Sequence, residues 1–165
     1  MDELLEKFTS IPIYYIEIGV FVEGGKRKKD TRKSKKPIDV VKLGINNAEL
    51  MYIHENGSPI NHVPSRPVLQ MTIDYTNKNL LNNYLAKAIK AYAQSGFKIE
   101  AYEKELKKLC LKMENYARDI IYLNDGRLAP NAPSTIRAKG DNHPLFDTGQ
   151  LARSITCRFI KKERK

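Results

Sequence analysis

The triplet Asp-Thr-Gly at residues 147–149 is the first stretch whose residue types suggest chemistry, because aspartic proteases carry the same triplet at their active site. In those enzymes two carboxylates share one proton, so a chain with a single copy would have to act as a homodimer. Such an enzyme also requires a strand-rich barrel, whereas the middle of this chain is typical of helices. The residues Gln150 to Arg153 likewise favour a helix over the small turn of a catalytic loop. We therefore do not interpret Asp147 as catalytic.

A structural role explains the same triplet better. Gln150 follows Asp147 after three positions, which is the spacing of a capping box at the start of a helix. In that motif the carboxylate accepts N–H groups of the first turn, while the glutamine side chain folds back. We interpret Asp147, Thr148 and Gly149 as an N-cap motif that sets the entry of a short helix, DTGQLARS.

The three histidines do not form a metal-binding pattern. His54 and Glu55 begin like the HExxH motif of metalloproteases, but Ser58 stands where the second histidine is required. His62 and His143 have no partner at a ligand spacing, and the sequence lacks a Walker loop. We predict no catalytic residue, no metal site and no cofactor, and therefore no enzyme.

The two cysteines are the other side chains that could react. Cys110 and Cys157 lie 47 positions apart and do not have CxxC spacing. This pattern favours buried thiols in a reducing compartment over a metal or redox pair.

Positive charge is concentrated in two short segments. The net charge is +10, and the stretch KRKKDTRKSKK at 26–36 supplies +7 of it while the tail KKERK at 161–165 supplies +3. The rest of the chain holds 17 basic and 17 acidic residues, so the body is neutral. A run this dense predicts a mobile basic loop over 24–37 and a basic C-terminal tail.

Two interpretations of the basic loop remain open. It could contact a polyanion through phosphates, with counterion release, or it could be a solvated hairpin tip that keeps the protein soluble. No aromatic residues are interleaved for base stacking, so specific base readout is not expected. The residues predicted to contact DNA or an acidic partner are Lys26, Arg27, Lys28, Lys29, Arg32, Lys33, Lys35 and Lys36.

Length and periodicity predict one domain over residues 1–165 with alternating strands, helices and ordered loops. No apolar run approaches the ~18 residues of a membrane span. The predicted elements, in chain order, are a strand over 11–22, a short helix from about Asn46 to Glu55, a proline-rich extended loop or linker over 58–67, a helix from about Asn77 with Thr76 as N-cap and a break at Gly96, a helix from about Ile99 to Tyr122, a helical turn near 134–139, the short helix DTGQLARS, and the strand SITCRFIK.

Three blocks in this order resemble the small virion-morphogenesis proteins of the tailed-bacteriophage neck, which are also called head–tail connector or tail-completion proteins. The blocks are YIEIGVF at 15–21, MYIHENGSPINHVPSRPVL at 51–69 and LAPNAPSTIRAKGDNHPLFDTGQLARSITCRF at 128–159. The last block is the most specific, since its APSTI, KG, PL and DTG motifs all fall in register. The chain departs from the pattern at Asn56, where an aromatic residue is usual, at Val68, where phenylalanine is usual, and in its unusually basic loop.

The resemblance implies an α+β fold, with a small antiparallel sheet packed against two long helices and with extended loops. It also implies a homo-oligomeric ring in the virion neck, assembled in the host cytoplasm, that joins portal and tail without catalysing a reaction. Its partners would be neighbouring portal, neck and tail proteins, with contact between the basic loop and packaged DNA, and no membrane. A rigid docking loop would contain His54, Glu55, Pro64, Arg66 and Pro67.

Two alternatives accompany that expectation. The docking loop and the N-cap motif could serve folding within one subunit only, although Arg66 is suited to fork onto a carboxylate or a backbone carbonyl. The whole chain could instead be a sequence-independent nucleic-acid-binding module that acts through the basic loop.

Overall fold

The computed structural model describes residues 2–21 and 45–162 of the chain. The basic loop predicted over 24–37, with its eight contact residues, and the last three residues of the basic tail lie outside these ranges. The elements are α1 (Asp2–Thr9), β1 (Tyr14–Gly19), α2 (Asn47–Asn56), a 3-10 turn (Pro59–Asn61), α3 (Val68–Asn79), α4 (Leu81–Gln94), α5 (Ile99–Tyr122), α6 (Pro133–Lys139), α7 (Gln150–Ser154) and β2 (Thr156–Lys161).

The predicted fold class is confirmed. Strands β1 and β2 form a two-stranded antiparallel sheet, and helices make up most of the described chain. The sheet packs against α4 and α5 through Tyr14, Ile16 and Phe159, which contact a buried cluster on those two helices. That cluster consists of Ala88, Tyr92, Tyr102 and Leu106.

The chain groups into two compact units. The sheet unit holds the described residues of Met1–Ile18, Ile73–Glu114 and Cys157–Lys165, and the loop unit holds those of Gly19–Thr72 and Asn115–Thr156. Helices α3 and α5 contribute residues to both units, and the single domain expected from the length stays a prediction.

Helix α5 has the bounds that its apolar stripe predicts. Tyr102, Leu106 and Leu109 recur at three- and four-residue spacing and are buried, while the intervening lysines are exposed. None of the helices in the described ranges is long and apolar enough to cross a membrane.

The predicted start of the preceding helix is wrong. Thr76 is not an N-cap, because it lies buried inside α3, which already begins at Val68. Thr72 turns its hydroxyl onto the carbonyl oxygen of Val68 at 2.8 Å, an intrahelical bond that suits a threonine on a buried helix face. The chain then breaks at Leu80 and continues as α4. The segment predicted as one helix from Asn77 to the break at Gly96 is therefore divided between α3 and α4. The break predicted at Gly96 is confirmed, with φ at +74°.

The strand predictions hold with shorter bounds. β1 covers the middle of the predicted 11–22 stretch. In β2 the half-buried Cys157 and Phe159 alternate with the exposed Thr156, Arg158 and Ile160, as a strand with one covered face requires.

Candidate functional site

The docking loop predicted from the sequence begins at the C-terminal end of α2. That helix starts with a complete capping box, in which Asn46 Oδ1 accepts the Glu49 N–H and Glu49 Oε2 accepts the Asn46 N–H, both at 2.9 Å. The helix therefore begins where the sequence predicts, and His54 and Glu55 fall in its last turn. Gly57 follows the helix with φ at +75°.

The proline-rich segment after α2 is an ordered loop. Ser58 and Val63 exchange backbone hydrogen bonds of 2.8 and 2.9 Å around the 3-10 turn. Glycine is required at position 57, at the base of this loop, for two reasons. A Cβ there would lie 2.8 Å from the Ser65 nitrogen, and the positive φ would strain any other residue. Pro64 is exposed, and Pro67 stands directly before the first residue of α3. The sequence left open whether residues 58–67 form an ordered loop or a linker, and the segment is an ordered loop.

Arg66 joins this loop to the segment before α6. Its side chain is buried, with 4% of the residue exposed. Nε donates to the carbonyl oxygen of Ala129 at 2.7 Å and Nη2 donates to that of Pro130 at 2.8 Å. Nη1 lies 3.4 Å from Nδ1 of His54, which must accept because a guanidinium only donates. The fork onto backbone carbonyls that the sequence suggested is therefore present within one chain.

Burial has an electrostatic consequence for the same side chain. Desolvation lowers the pKa of the Arg66 guanidinium from its ordinary value. A buried cation is tolerated when fixed dipoles replace its hydration, and the two carbonyl oxygens are such dipoles. The backbone N–H of Arg66 also donates to the His54 carbonyl oxygen at 2.6 Å, so main chain and side chain both fasten this residue.

Glu55 supplies the N-terminal cap of α3. Its Oε2 accepts the Leu69 N–H at 3.0 Å and its Oε1 accepts the Gln70 N–H at 2.8 Å. The residue before the helix is Pro67, whose side chain has no acceptor, so the cap has to come from elsewhere in the chain. A carboxylate at this end also interacts favourably with the helix dipole. The Ser65 hydroxyl donates to the Glu55 carbonyl oxygen at 2.7 Å and holds the loop against α2.

The C-terminal block is built around α6 and the turn that follows it. Pro133 is the first residue of α6 and Gly140 closes it in the left-handed conformation. Lys139 Nζ donates to the carbonyl oxygens of His143, at 3.0 Å, and Phe146. The His143 ring stacks on Phe146 with centroids 4.6 Å apart. Residues 139–146 therefore form one fastened turn.

The predicted N-cap motif lies at the start of α7, but the capping residue differs from the prediction. The helix begins at Gln150 and its N-cap is Gly149, so Asp147 is not the cap and lies exposed two residues earlier. Gly149 has φ at +71°, and a Cβ there would lie 2.8 Å from Nη1 of Arg153. Glycine is the residue that fits both constraints. The Thr148 hydroxyl lies 3.4 Å from the backbone nitrogen of Gln150. The backbone carbonyl oxygen of Thr148 accepts a hydrogen bond from Nη2 of Arg153 at 2.8 Å.

The fold brings the docking loop and the Asp-Thr-Gly motif into the same unit. Helix α2, which carries His54 and Glu55, packs against α7, which follows Gly149. Met51 on α2 and Leu151 on α7 are buried. We call this assembly of α2, the docking loop, α6 and α7 the platform.

Sequence reasoning missed the acceptors that complete the platform. Ala129 and Pro130 act through their carbonyl oxygens, which leave no side-chain signal in a sequence. Asn142 was also missed: its Oδ1 accepts the Asn131 N–H at 3.0 Å, and its carbonyl oxygen accepts from Asn124 at 3.0 Å. The Gly-Asp-Asn sequence at 140–142, which is typical of a turn, is the signal that could have indicated a structural role for Asn142.

No family model, curated protein or solved structure matches this chain.

Replacing Arg66 with lysine tests the fork. Lysine keeps the charge but cannot serve two carbonyl oxygens in a plane, so R66K is expected to lower the free energy of unfolding by about 2 kcal/mol in a denaturant titration. R158K is the control, because Arg158 is half exposed and pairs with Glu17 at the surface at 3.0 Å; its effect should stay within about 0.5 kcal/mol. Equal stability of R66K and R158K would contradict the assignment.

Replacing Glu55 with glutamine tests the cap. The amide keeps the size of the side chain but loses one acceptor oxygen and the charge, so E55Q is expected to lower the free energy of unfolding by about 1 kcal/mol. E3Q is the matched control, since Glu3 is exposed and pairs with Lys7 one turn away on α1; it should cost about 0.3–0.5 kcal/mol at most. If the two variants have the same thermal unfolding midpoint, Glu55 does not cap α3.

Proposed function

We propose that this chain is a non-enzymatic structural subunit of a tailed-bacteriophage neck, which assembles with copies of itself into a ring between head and tail. The observation that carries the proposal is the joining of two of the blocks that resemble neck proteins. Block 51–69 and block 128–159 meet in the platform, and Arg66 bonds Ala129 across 63 positions of sequence. The most specific block of the resemblance, 128–159, is thus joined to block 51–69 in one platform.

The chemistry of the platform supports a building block. Arg66 and Glu55 satisfy backbone groups of their own chain. Side chains held in this way give rigidity, and a ring subunit needs rigidity because each lateral contact has to repeat with the same geometry. These bonds serve folding within one subunit, which is one of the roles that the sequence left open. A direct contact of the docking loop with a neighbouring subunit stays part of the proposal.

Apolar side chains on the loop unit supply a surface for a neighbouring copy. Ile60, in the 3-10 turn of the docking loop, is 92% exposed, and Tyr52 on α2 is 71% exposed. Large apolar residues at the centre of a contact carry much of the binding energy in protein interfaces. In the proposed ring Ile60 contacts the adjacent subunit.

Charge distribution supports the position in the neck. The residues outside 26–36 and 161–165 balance to zero, which lets copies pack side by side without net repulsion. In the proposed ring the basic segment at 26–36 contacts packaged DNA or an acidic neighbour.

Assembly is the property to measure. Native mass spectrometry of the purified chain, alone and mixed with neighbouring head and tail proteins, is expected to show a closed oligomer. The I60D variant should keep the circular-dichroism spectrum of the wild type, because Ile60 is almost fully exposed, and should assemble only at a concentration at least about tenfold higher.

I89D is the control for the assembly experiment. Ile89 is a partly exposed isoleucine on α4 in the sheet unit. The I89D variant should assemble like the wild type. A wild-type chain that stays monomeric under all these conditions would contradict the proposal, as would an I60D variant that assembles normally.

The concentration of +7 within residues 26–36 favours one second candidate, a nucleic-acid-binding module. Binding of random-sequence duplex DNA across a salt series separates the two functions. For the neck subunit we expect weak binding by the monomer. Tight binding by a monomer, with a log–log salt slope near −0.9 for each phosphate neutralised, would instead establish the module.

A further inference from the structure

The fold brings together two cysteines that the sequence places 47 positions apart. Cys110 lies on α5 and is 5% exposed, and Cys157 lies on β2 and is half-buried. Both are free thiols. The sequence favoured buried thiols over a metal or redox pair because of this spacing, and spacing does not report which strand packs on which helix.

The neighbours of Cys110 on its helix fix the position of Cys157. Met113 and Glu114 follow Cys110 by three and four residues, so they lie on the same face of α5. Sγ of Cys157 lies 3.9 Å from Sδ of Met113, and the Cys157 N–H donates to Oε1 of Glu114 at 2.8 Å. Cys157 is therefore held on both its side chain and its backbone against the face that carries Cys110.

Both cysteines line an open cavity of about 290 Å³, through which a small reagent can approach them. Two exposed cations, Lys107 and Arg158, and the carboxylate of Glu114 also line the cavity.

The two thiols differ in acidity. The hydrogen bond from Cys157 lowers the pKa of Cys110, against the opposing effects of its burial and of Glu114. The same interaction, followed by burial, raises the pKa of Cys157. Cys110 is thus the more acidic thiol of the pair, and Cys157 is the less acidic one.

We propose that Cys110 and Cys157 are a dithiol modification site, which a small hydroperoxide such as hydrogen peroxide converts into one intramolecular disulfide. The Cys110 thiolate attacks one peroxide oxygen, the O–O bond breaks, and hydroxide leaves, which gives a sulfenic acid on Cys110. Cys157 then attacks that sulfur and water leaves. In total two thiols lose two electrons and two protons, and one peroxide becomes two waters.

The disulfide would fasten β2 to α5 within the sheet unit. Closing a loop of this length restricts the unfolded chain and lowers the unfolding equilibrium constant by up to roughly a thousandfold. This inference is independent of the proposed neck function, because it concerns the sheet unit and requires no assembly.

Peptide mapping of the full-length chain tests the site. The reduced protein is treated with hydrogen peroxide, blocked with a maleimide and digested without reduction. We expect an intact mass lower by two hydrogen atoms, a cross-linked peptide that joins Cys110 to Cys157, and recovery of both thiols with dithiothreitol. Two free thiols after treatment, a disulfide only between chains, or sulfinic acids without a cross-link would each overturn the proposal.

Single variants identify which thiol attacks. In C157S, Cys110 should form a sulfenic acid that dimedone traps, whereas in C110S the remaining thiol should react at least about tenfold more slowly. The opposite order of rates would overturn the assignment of Cys110. The wild-type cross-link is measured separately, so misfolding of a variant does not decide the test.

Discussion

The platform depends on one buried guanidinium and the carbonyl oxygens that surround it. Arg66 is almost fully removed from water, and its hydrogen bonds to Ala129 and Pro130 replace the hydration that burial removes. A charge in such a place stabilises the fold only while its partners hold their geometry, and displacing them leaves an uncompensated buried cation. The segment that leads into α6 is thereby fixed to the end of α2, and the loop between α2 and α3 is fixed with it.

The need to satisfy backbone groups also accounts for the roles of Glu55 and Arg66 around the proline-rich loop. Buried or terminal N–H and C=O groups need partners, and a chain with prolines at 64 and 67 has fewer N–H groups and fewer side-chain caps to offer. Glu55 and Arg66 fill that need as cap and clamp.

Features with a local cause could be predicted from the sequence, and features with a distant cause could not. The bounds of α5 follow from its apolar stripe, and the start of α2 follows from Asn46 and Glu49, three positions apart. The start of α3 depends on Glu55, 14 positions from the Leu69 amide that it caps, and Thr76 was a false local signal. At α7, glycine in the left-handed conformation took the capping position that the Asp147–Gln150 spacing indicated for aspartate. The chemistry of Arg66 was predictable from its side chain, whereas the identity of its acceptors and the meeting of Cys110 with Cys157 required the fold.

Native-state hydrogen exchange of the wild-type chain tests most directly whether the two sequence blocks form one body. The Gln70 amide directly follows block 51–69 and donates to Glu55 of that block, and the Asn131 and Arg153 amides donate within block 128–159. If Arg66 joins the blocks, these amides should open with a common free energy and should shift together as denaturant is added. Exchange of Asn131 and Arg153 orders of magnitude faster than Gln70, through openings insensitive to denaturant, would contradict a platform closed by Arg66.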